Sequence, residues 1–297
     1  MIPPCAGWGE DRGPVSVSLR RPVAGAPPAP RLTGEREGCI LEIKIGSLRM
    51  KGVENMSGEI CLISGREYVL RIPKGGGPFP LAVLCGGDMR EELDRLAAGR
   101  SPRILLSPSA SWERDYTPWP AQAPAGRAPF LGGGPAFLGG GPAFLGEIQA
   151  ALEILEARLP ILPGRESRAI LGYSLGGLFA LWAFCAGKTF GAAASLSGSL
   201  WYEGWTEYLA AHLPEQGGRV YLSLGKKEEK SGPAQMRLVG ERTRETAGMF
   251  RAAGRFGEVP LEMHGGGHFT DIPGRWRRAM EWLDGEKILI EQPHSGV

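Results

Sequence analysis

The chain has 297 residues, of which 42% are hydrophobic and 22% are charged. This balance is typical of a folded globular protein and excludes a chain that is disordered throughout. Lys and Arg number 34 against 32 Asp and Glu, so the net charge is +2 and gives no electrostatic reason to bind nucleic acid. The longest apolar run, 178–186, is far shorter than the roughly 20 residues that a membrane-spanning helix needs.

The N-terminus and the cysteines indicate where the protein resides. Residues 1–13 lack a basic flank followed by an apolar stretch, so no signal peptide is expected. The cysteines are odd in number, and no two have the spacing of a metal site or a redox motif: Cys5, Cys39, Cys61, Cys85 and Cys185. We therefore expect a reduced, cytoplasmic protein that needs no metal or organic cofactor.

The domain organisation follows from the hydrophobic pattern in chain order. Residues 1–37 are rich in Pro, Gly and Arg and predict a disordered tail, and 38–290 predict one domain. Three short β-rich runs, 39–45, 59–63 and 68–72, predict antiparallel strands. Thereafter strands predicted at 80–87, 103–110, 168–173, 192–198, 219–225 and 259–264 alternate with helices predicted at 89–99, 146–159, 175–187, 203–213, 235–254 and 275–285. The alternation predicts an α/β fold with a mostly parallel, doubly wound sheet.

A local repeat interrupts this alternation within an irregular Gly/Pro-rich loop at about 120–145. The heptapeptide FLGGGPA occurs at 130–136 and again at 137–143, and FLG follows. Two copies are too few for a solenoid. The repeat is interpreted either as a tandem duplication in a tolerant surface loop or as a mobile lid over a pocket.

The strongest chemical signal is the segment 172–177, GYSLGG, which matches the pattern G-x-S-x-G. A predicted strand precedes it and a predicted helix follows, as a nucleophile elbow requires. The sharp turn forces Ser174 into a strained backbone conformation, and Gly172 and Gly176 remove side chains that would clash across it. Ser174 is therefore the predicted nucleophile.

A serine nucleophile needs a base, and the chain has four histidines. His212 lies near the end of a predicted surface helix, and His294 lies in the C-terminal tail. His268 lies between the last predicted strand and the last helix, where the hydrolase order of serine, acid and histidine places the base. His264, at the end of that strand, is the competing candidate.

The carboxylate that orients the base is expected in the loop after the strand at 219–225. That loop reads GKKEEK, so Glu228 or Glu229 is the candidate, with Asp271 or no acid as alternatives. For the oxyanion hole we expect the backbone N–H of Leu175 and an N–H from the loop 85–88, where Gly87 permits close approach.

These segments resemble the Putative esterase family of α/β-hydrolases, which includes esterase D, the mycolyltransferases and the ferric-siderophore esterases. The resemblance covers about 55–285 and is carried by LCGGDM, WERDYTPWPA, LGYSLGG, SLSGSLWY, YLSLGKKEEK and GGGHFTDIPGRW. The family pattern places the nucleophile on Ser174, the acid on Glu228 and the base on His268, and the oxyanion donors on Gly87 and Leu175. The late GGH and the SGSLWY segment are most similar to the siderophore-esterase branch.

The resemblance implies a serine carboxylic-ester hydrolase acting on a small molecule, with a siderophore-type trilactone as the candidate substrate. Acyl transfer by the same triad and a non-catalytic, hydrolase-like binding protein are the alternatives. Aromatic residues flank the predicted pocket loops and would suit aryl or catechol groups: Trp112, Tyr116, Trp119, Trp201, Tyr202 and Trp205. Arg90 and Arg114, near the same edge, either meet an anionic substrate such as a ferric tris-catecholate or pair with neighbours such as Glu113 and Asp115.

Overall fold

The computed structural model describes residues 56–122, 124 and 137–285. The strands within these ranges are β1 (Met56–Ile63), β2 (Arg66–Ile72), β3 (Leu81–Cys85), β4 (Ile104–Pro108), β5 (Pro120–Ala121), β6 (Phe137–Leu138), β7 (Arg168–Tyr173), β8 (Ala192–Leu196), β9 (Arg219–Gly225) and β10 (Leu261–His264). The helices are α1 (Glu92–Ala97), α2 (Trp112–Asp115), α3 (Gly141–Glu156), α4 (Leu175–Ala186), α5 (Trp205–Ala211), α6 (Ala234–Arg237), α7 (Val239–Ala252) and α8 (Ile272–Leu283). The predicted tail, the predicted strand at 39–45 and His294 lie outside the described residues.

Eight of the described strands build one large sheet in the order β1-β2-β4-β3-β7-β8-β9-β10, and β5 and β6 form a separate antiparallel pair. Within the large sheet, β2 pairs antiparallel with β1 and with β4, and every other pairing is parallel. The central strands are buried on both faces, as their continuous apolar runs predict. The predicted α/β-hydrolase fold, mostly parallel with antiparallel N-terminal strands, is confirmed.

Two apolar layers cover the two faces of the sheet. One side packs α3, α4, α5 and α7 against the strands, with Phe144, Phe179, Trp205 and Phe250 among its fully buried side chains. The other side packs α1 and α8, through Leu93, Trp276 and Met280. Helix α4 is apolar all round and follows β7 directly, which sets its first turn against the carboxyl end of the sheet.

The second copy of the FLGGGPA repeat is part of the folded structure. Its first two residues form β6, which pairs with β5, and Phe137 is only 1% exposed. Its glycines turn the chain into α3, which begins at Gly141, five residues before the predicted start. A Cβ on Gly139, at φ +70°, would lie 2.5 Å from the backbone N of Pro120. This copy is therefore not a tolerant surface insertion, and the first copy lies outside the described residues.

The described helices contain no segment that is both long enough and apolar enough to cross a bilayer. The pattern predicted at 235–254 forms two helices, α6 and α7, that meet at Leu238.

We expect Gly139→Ala to lower the free energy of unfolding by about 1–3 kcal/mol, because the new Cβ meets backbone at a positive φ. Gly146→Ala is the matched control: it lies in the exposed middle of α3 with no atom near the new Cβ. It should raise the free energy of unfolding by about 0.5–1 kcal/mol. Urea unfolding followed by circular dichroism measures both. A Gly139→Ala protein as stable as the wild type would mean that this turn accommodates a side chain.

Candidate active site

Ser174 occupies the tight turn between β7 and α4. Its backbone has φ +58° and ψ −123°, a conformation that L residues rarely adopt. A Cβ on Gly172 would lie 1.9 Å from the carbonyl oxygen of Gly176, and a Cβ on Gly176 would lie 2.0 Å from that of Cys85. The predicted reason therefore holds for Gly172, which clears the turn itself, whereas Gly176 makes room for the end of the neighbouring strand β3.

His268 is the histidine that the fold brings to Ser174. It lies in the loop between β10 and α8, and its Nε2 is 3.1 Å from the Oγ of Ser174. Its Nδ1 is 2.7 Å from Oε2 of Glu228. The hydroxyl of Tyr173 donates to the backbone oxygen of His268, which ties this loop to the end of β7.

The other described histidines have different surroundings. The Nε2 of His264 is 3.4 Å from Oε2 of Glu262, two residues away on the same strand. Burial, together with the charges of Arg278 and Arg275, lowers the pKa of His264 to about 4. The ring of His212 stacks on Tyr208 and its Nδ1 faces the oxygen of that residue at 2.8 Å. Neither forms a hydrogen bond with Ser174.

Glu228 lies in a short 3-10 turn after β9 and is only 6% exposed. Its Oε1 accepts hydrogen bonds from the backbone N–H of Gly225 at 2.7 Å, Oγ of Ser197 at 2.7 Å and Nη1 of Arg275 at 3.0 Å. Burial acts to raise the pKa of this carboxyl, but the hydrogen bonds from His268, Ser197 and Gly225 outweigh it and lower the pKa. Glu228 is therefore held as a carboxylate.

The two alternative carboxylates have other partners. Glu229 points to α7, where its Oε2 is 2.7 Å from Nη2 of Arg244. Asp271 caps α8 and accepts from the backbone N–H of Gly274 at 3.1 Å. Of the carboxylates considered from the sequence, only Glu228 contacts His268.

Of the two predicted oxyanion donors, Leu175 borders the same space and Gly87 is not among the lining residues. Leu175 is the first residue of α4 and lines the cavity above Ser174. Gly87 follows β3 with φ +86°, and a Cβ there would lie 3.4 Å from the ring of Trp112. Its neighbour Gly86 also lines the cavity and packs against Trp276. The assignment of the Gly87 N–H as a donor stays a prediction.

The cavity has a volume of about 570 Å³, and its walls are mostly apolar. Aromatic side chains supply much of the lining: Trp112, Phe137, Tyr173, Trp201, Phe269 and Trp276. Met236, Val239 and Ile272 add aliphatic surface. The described residues that line it include no lysine or arginine. Glu113 also lines it, and its carboxylate forms no hydrogen bond or ion pair with a described residue.

The structure places one of the four predicted pocket residues, Trp201, in this lining. Arg90 pairs with Glu67 at 2.5 Å and lies 3.6 Å from Asp88. Arg114 pairs with its neighbour Asp115 at 2.7 Å, as the alternative interpretation of these arginines expected. Trp119 donates from Nε1 to the oxygen of Glu203 and packs against Tyr208, so it borders a different, shallower pocket. The positions of these three give no support to a role in binding substrate at Ser174.

Sequence reasoning missed Phe137, Phe269, Ser197 and Arg275. Phe137 belongs to the repeat that was interpreted as a loop, and Phe269 adjoins His268 at the cavity mouth with 83% of its surface exposed. Arg275 left a detectable signal: it lies four residues before Ala279 on the apolar face of α8. Among the described residues, no group of three or more His, Cys, Asp or Glu is placed to hold a metal ion.

An α/β-hydrolase sheet that carries a serine on a strained elbow, hydrogen-bonded to a histidine, defines the class of serine hydrolases. A comparison with family models gives a match over part of the chain. Residues 140–281 match the family described as Putative esterase, which confirms the resemblance drawn from the sequence. The matched range includes Ser174, Glu228 and His268, and the chain is a carboxylic ester hydrolase.

Individual proteins are similar to this chain in sequence or in fold. The uncharacterised protein YbbA of Bacillus subtilis (strain 168) is 28% identical over 239 residues, which are 74% of this chain and 93% of YbbA. An IroE-like serine hydrolase from Shewanella oneidensis superposes with a TM-score of 0.59 at 17% identity, covering 74% of this chain and 76% of its own. The siderophore hydrolase EstA from Aspergillus nidulans has a TM-score of 0.55 at 18% identity, covering 74% and 90%. At these identities the two structures support the fold.

We expect Glu228→Gln to lower kcat/KM for a simple p-nitrophenyl ester by about 10²- to 10⁴-fold, because the amide removes the charge that faces His268. Glu229→Gln is the matched control one residue away, and its loss of the exposed pair with Arg244 should change kcat/KM less than about twofold. Initial rates for both variants test the assignment. Equal damage by the two substitutions would contradict it.

Proposed function

We propose that this protein is a serine carboxylic-ester hydrolase in which Ser174, His268 and Glu228 act as a catalytic triad. The observation that carries the proposal is the continuous hydrogen-bond chain from Oγ of Ser174 through the His268 ring to Glu228. Its serine end faces the apolar cavity, and its acid end is buried. Such a chain is the arrangement that converts a serine hydroxyl into a nucleophile.

The proposed mechanism begins with attack of Ser174 Oγ on the ester carbonyl carbon, while Nε2 of His268 takes the hydroxyl proton. Glu228 holds the imidazole through Nδ1 and stabilises its charged form. The N–H groups of Leu175 and Gly87 stabilise the oxyanion, each worth roughly 3 kcal/mol in the transition state. His268 then protonates the departing alcohol. Water attacks the acyl-enzyme in a second round with the same proton transfers and releases the acid.

For the substrate we propose an ester that carries an uncharged aryl group near the scissile bond, and a siderophore-type trilactone as the particular candidate. The aromatic lining of the cavity supports an aryl group. The structural similarity to EstA, a siderophore hydrolase, supports a siderophore as the source of that ester. The charge of the lining argues against the iron-loaded form, because Arg90 and Arg114 are paired elsewhere and Glu113 would repel an anion.

Ser174→Ala should abolish both ester hydrolysis and labelling by a fluorophosphonate probe, with a loss in kcat/KM of at least about 10³-fold. Ser231→Ala removes a different hydroxyl from the same cavity and is the matched control, with labelling retained. Rates with p-nitrophenyl esters and mass spectrometry of the labelled peptide give the readouts. A wild-type protein that is folded but neither labelled nor active would instead indicate a hydrolase-like binding protein. New esters formed with added alcohols would indicate acyl transfer.

For a tris-catecholate trilactone, we expect the iron-free form to be opened at least about tenfold faster than the ferric complex. The ferric complex carries negative charge toward the Glu113 carboxylate, and tenfold corresponds to about 1.4 kcal/mol of repulsion. Mass spectrometry of linear trimer, dimer and monomer measures both rates, with Ser174→Ala as the blank. Glu113→Gln keeps the shape of the side chain and removes its charge, so it should reduce the ratio of the iron-free rate to the ferric rate. A faster reaction with the ferric form would refute the charge argument, and an intact trilactone beside turnover of a simple ester would remove the siderophore substrate.

A further inference from the structure

Arg275 is a fully buried arginine directly behind the proposed triad. It is the fourth residue of α8 and has 0% of its surface exposed. Taking a guanidinium out of water costs several kcal/mol, and a protein recovers this cost only with well-placed partners. The location of those partners therefore indicates what the residue does.

The partners of Arg275 are three groups of the active site. Its Nη1 donates to Oε1 of Glu228 at 3.0 Å and to Oγ of Ser197, and its Nη2 donates to the backbone oxygen of Gly267 at 2.7 Å. Ser197 follows β8, Glu228 follows β9, and Gly267 immediately precedes His268. One planar fork thus connects α8 to the acid, to the hydroxyl that also supports the acid, and to the loop that carries the base.

We propose that Arg275 is a positioning residue for the triad. It holds Glu228 and the His268 loop in fixed positions relative to each other, and it partly neutralises the charge of the Glu228 carboxylate. This inference rests on the proposed function. Arg275 is not among the residues that line the cavity, and its hydrogen bonds go to Glu228, Ser197 and the loop that carries His268. Its action on the reaction is therefore transmitted through the carboxylate and through the position of His268.

The local space allows little variation at this point. A Cβ on Gly225 would lie 2.8 Å from Nη2 of Arg275, 2.8 Å from Oε1 of Glu228 and 2.8 Å from the oxygen of Gly266. The carboxylate and the guanidinium are therefore packed against bare backbone. A lysine has one point charge and lacks the fork, so it could keep the charge while losing the simultaneous contacts to Ser197 and Gly267.

The charge of Arg275 has a defined electrostatic effect. With Arg275 in place, the buried pair it forms with Glu228 is close to neutral. Without it, the carboxylate either takes up a proton at a higher pH or faces a more readily protonated imidazole, and each change removes active enzyme at the acid end of the pH range. Other ionisable groups lie nearby: Tyr173 on β7, His264 on β10, Asp271 at the start of α8 and Arg278 within α8. None of these forms a hydrogen bond or ion pair with the Glu228 carboxylate.

The test is a pH profile of kcat/KM for a neutral p-nitrophenyl ester. We expect Arg275→Met to lower kcat/KM at the optimum by about 10- to 100-fold and to move the acid limb upward by about one pH unit or more. Arg275→Lys should lose activity but keep the acid limb close to that of the wild type. Arg277→Met, an exposed position on the same helix that pairs only with Glu281 among the described residues, is the control and should leave the profile unchanged.

A folded Arg275→Met protein whose acid limb does not move would overturn the proposal, since a purely structural residue alters activity without altering the titration. Where Arg275→Met fails to fold, proton NMR of Arg275→Lys gives a second reading. The downfield Nδ1–H resonance of His268 should shift or broaden relative to the wild type and to Arg277→Met, and an unchanged resonance would refute positioning. An inactive wild type would refute the proposed function and with it the premise of this inference, whereas failure of the inference alone leaves an active wild type and an acid limb or resonance that the Arg275 variants do not move.

Discussion

The closing of the chain around Ser174 is the constraint on which the rest of the site depends. A non-glycine residue at φ +58° costs about 1–3 kcal/mol, so the surrounding structure must hold it there. The backbone does so directly: the N–H of Ser174 donates to the oxygen of Leu196 at 3.0 Å, and the oxygen of Ser174 accepts from Ser199 at 2.9 Å. These bonds connect the elbow to the neighbouring strand β8, so the hydroxyl position is set by the sheet.

The sheet also determines where the other two members of the triad can lie. In a parallel sheet every strand ends at the same edge, and the loops after β9 and β10 therefore reach toward the loop after β7. Gly225 ends β9 opposite His264 of β10, which brings the Glu228 turn and the His268 loop side by side. The strand order therefore brings the three triad residues close together, and the hydrogen bonds to Glu228 orient its carboxylate toward His268.

The sequence was sufficient for the parts that depend on backbone pattern. Strands β7 and β9 coincide with their predicted ranges because both are buried apolar runs bounded by turn residues. Strand order predicts that the loops of Ser174 and His268 meet the loop 226–230, but the choice of Glu228 over Glu229 within that loop came from the family resemblance. The direction of a side chain on a loop has no such pattern. Arg90 and Trp119 are near the predicted edge in sequence, yet local carboxylates and a neighbouring carbonyl determine where they point.

The polar residues that support the triad were not identified from the sequence, for a related reason. In the sequence Ser197 is an ordinary serine, and only its tertiary contacts distinguish it. Arg275 is one of several arginines in α8, and its place on the apolar face is the sign that it is buried. Arg277 and Arg275 are two residues apart, and the helical period places one in water and the other in the core. A charge on the apolar face of a predicted helix is therefore informative, because burial without a partner would be too costly.

The cavity and the region behind it stabilise charge in different ways. The cavity is largely apolar, so an oxyanion formed there has to be stabilised by fixed N–H dipoles. Behind it, Glu228 and Arg275 form a buried pair of opposite charges, and the proton that His268 takes from Ser174 adds a positive charge next to that pair. The imidazolium and the oxyanion then arise together, with Oγ of Ser174 between them: Nε2 of His268 faces this oxygen, which is bonded to the carbon that carries the oxyanion. In the proposed mechanism, the protein separates charge only along the line from His268 to the substrate carbonyl, where attraction between the two new charges favours the transition state.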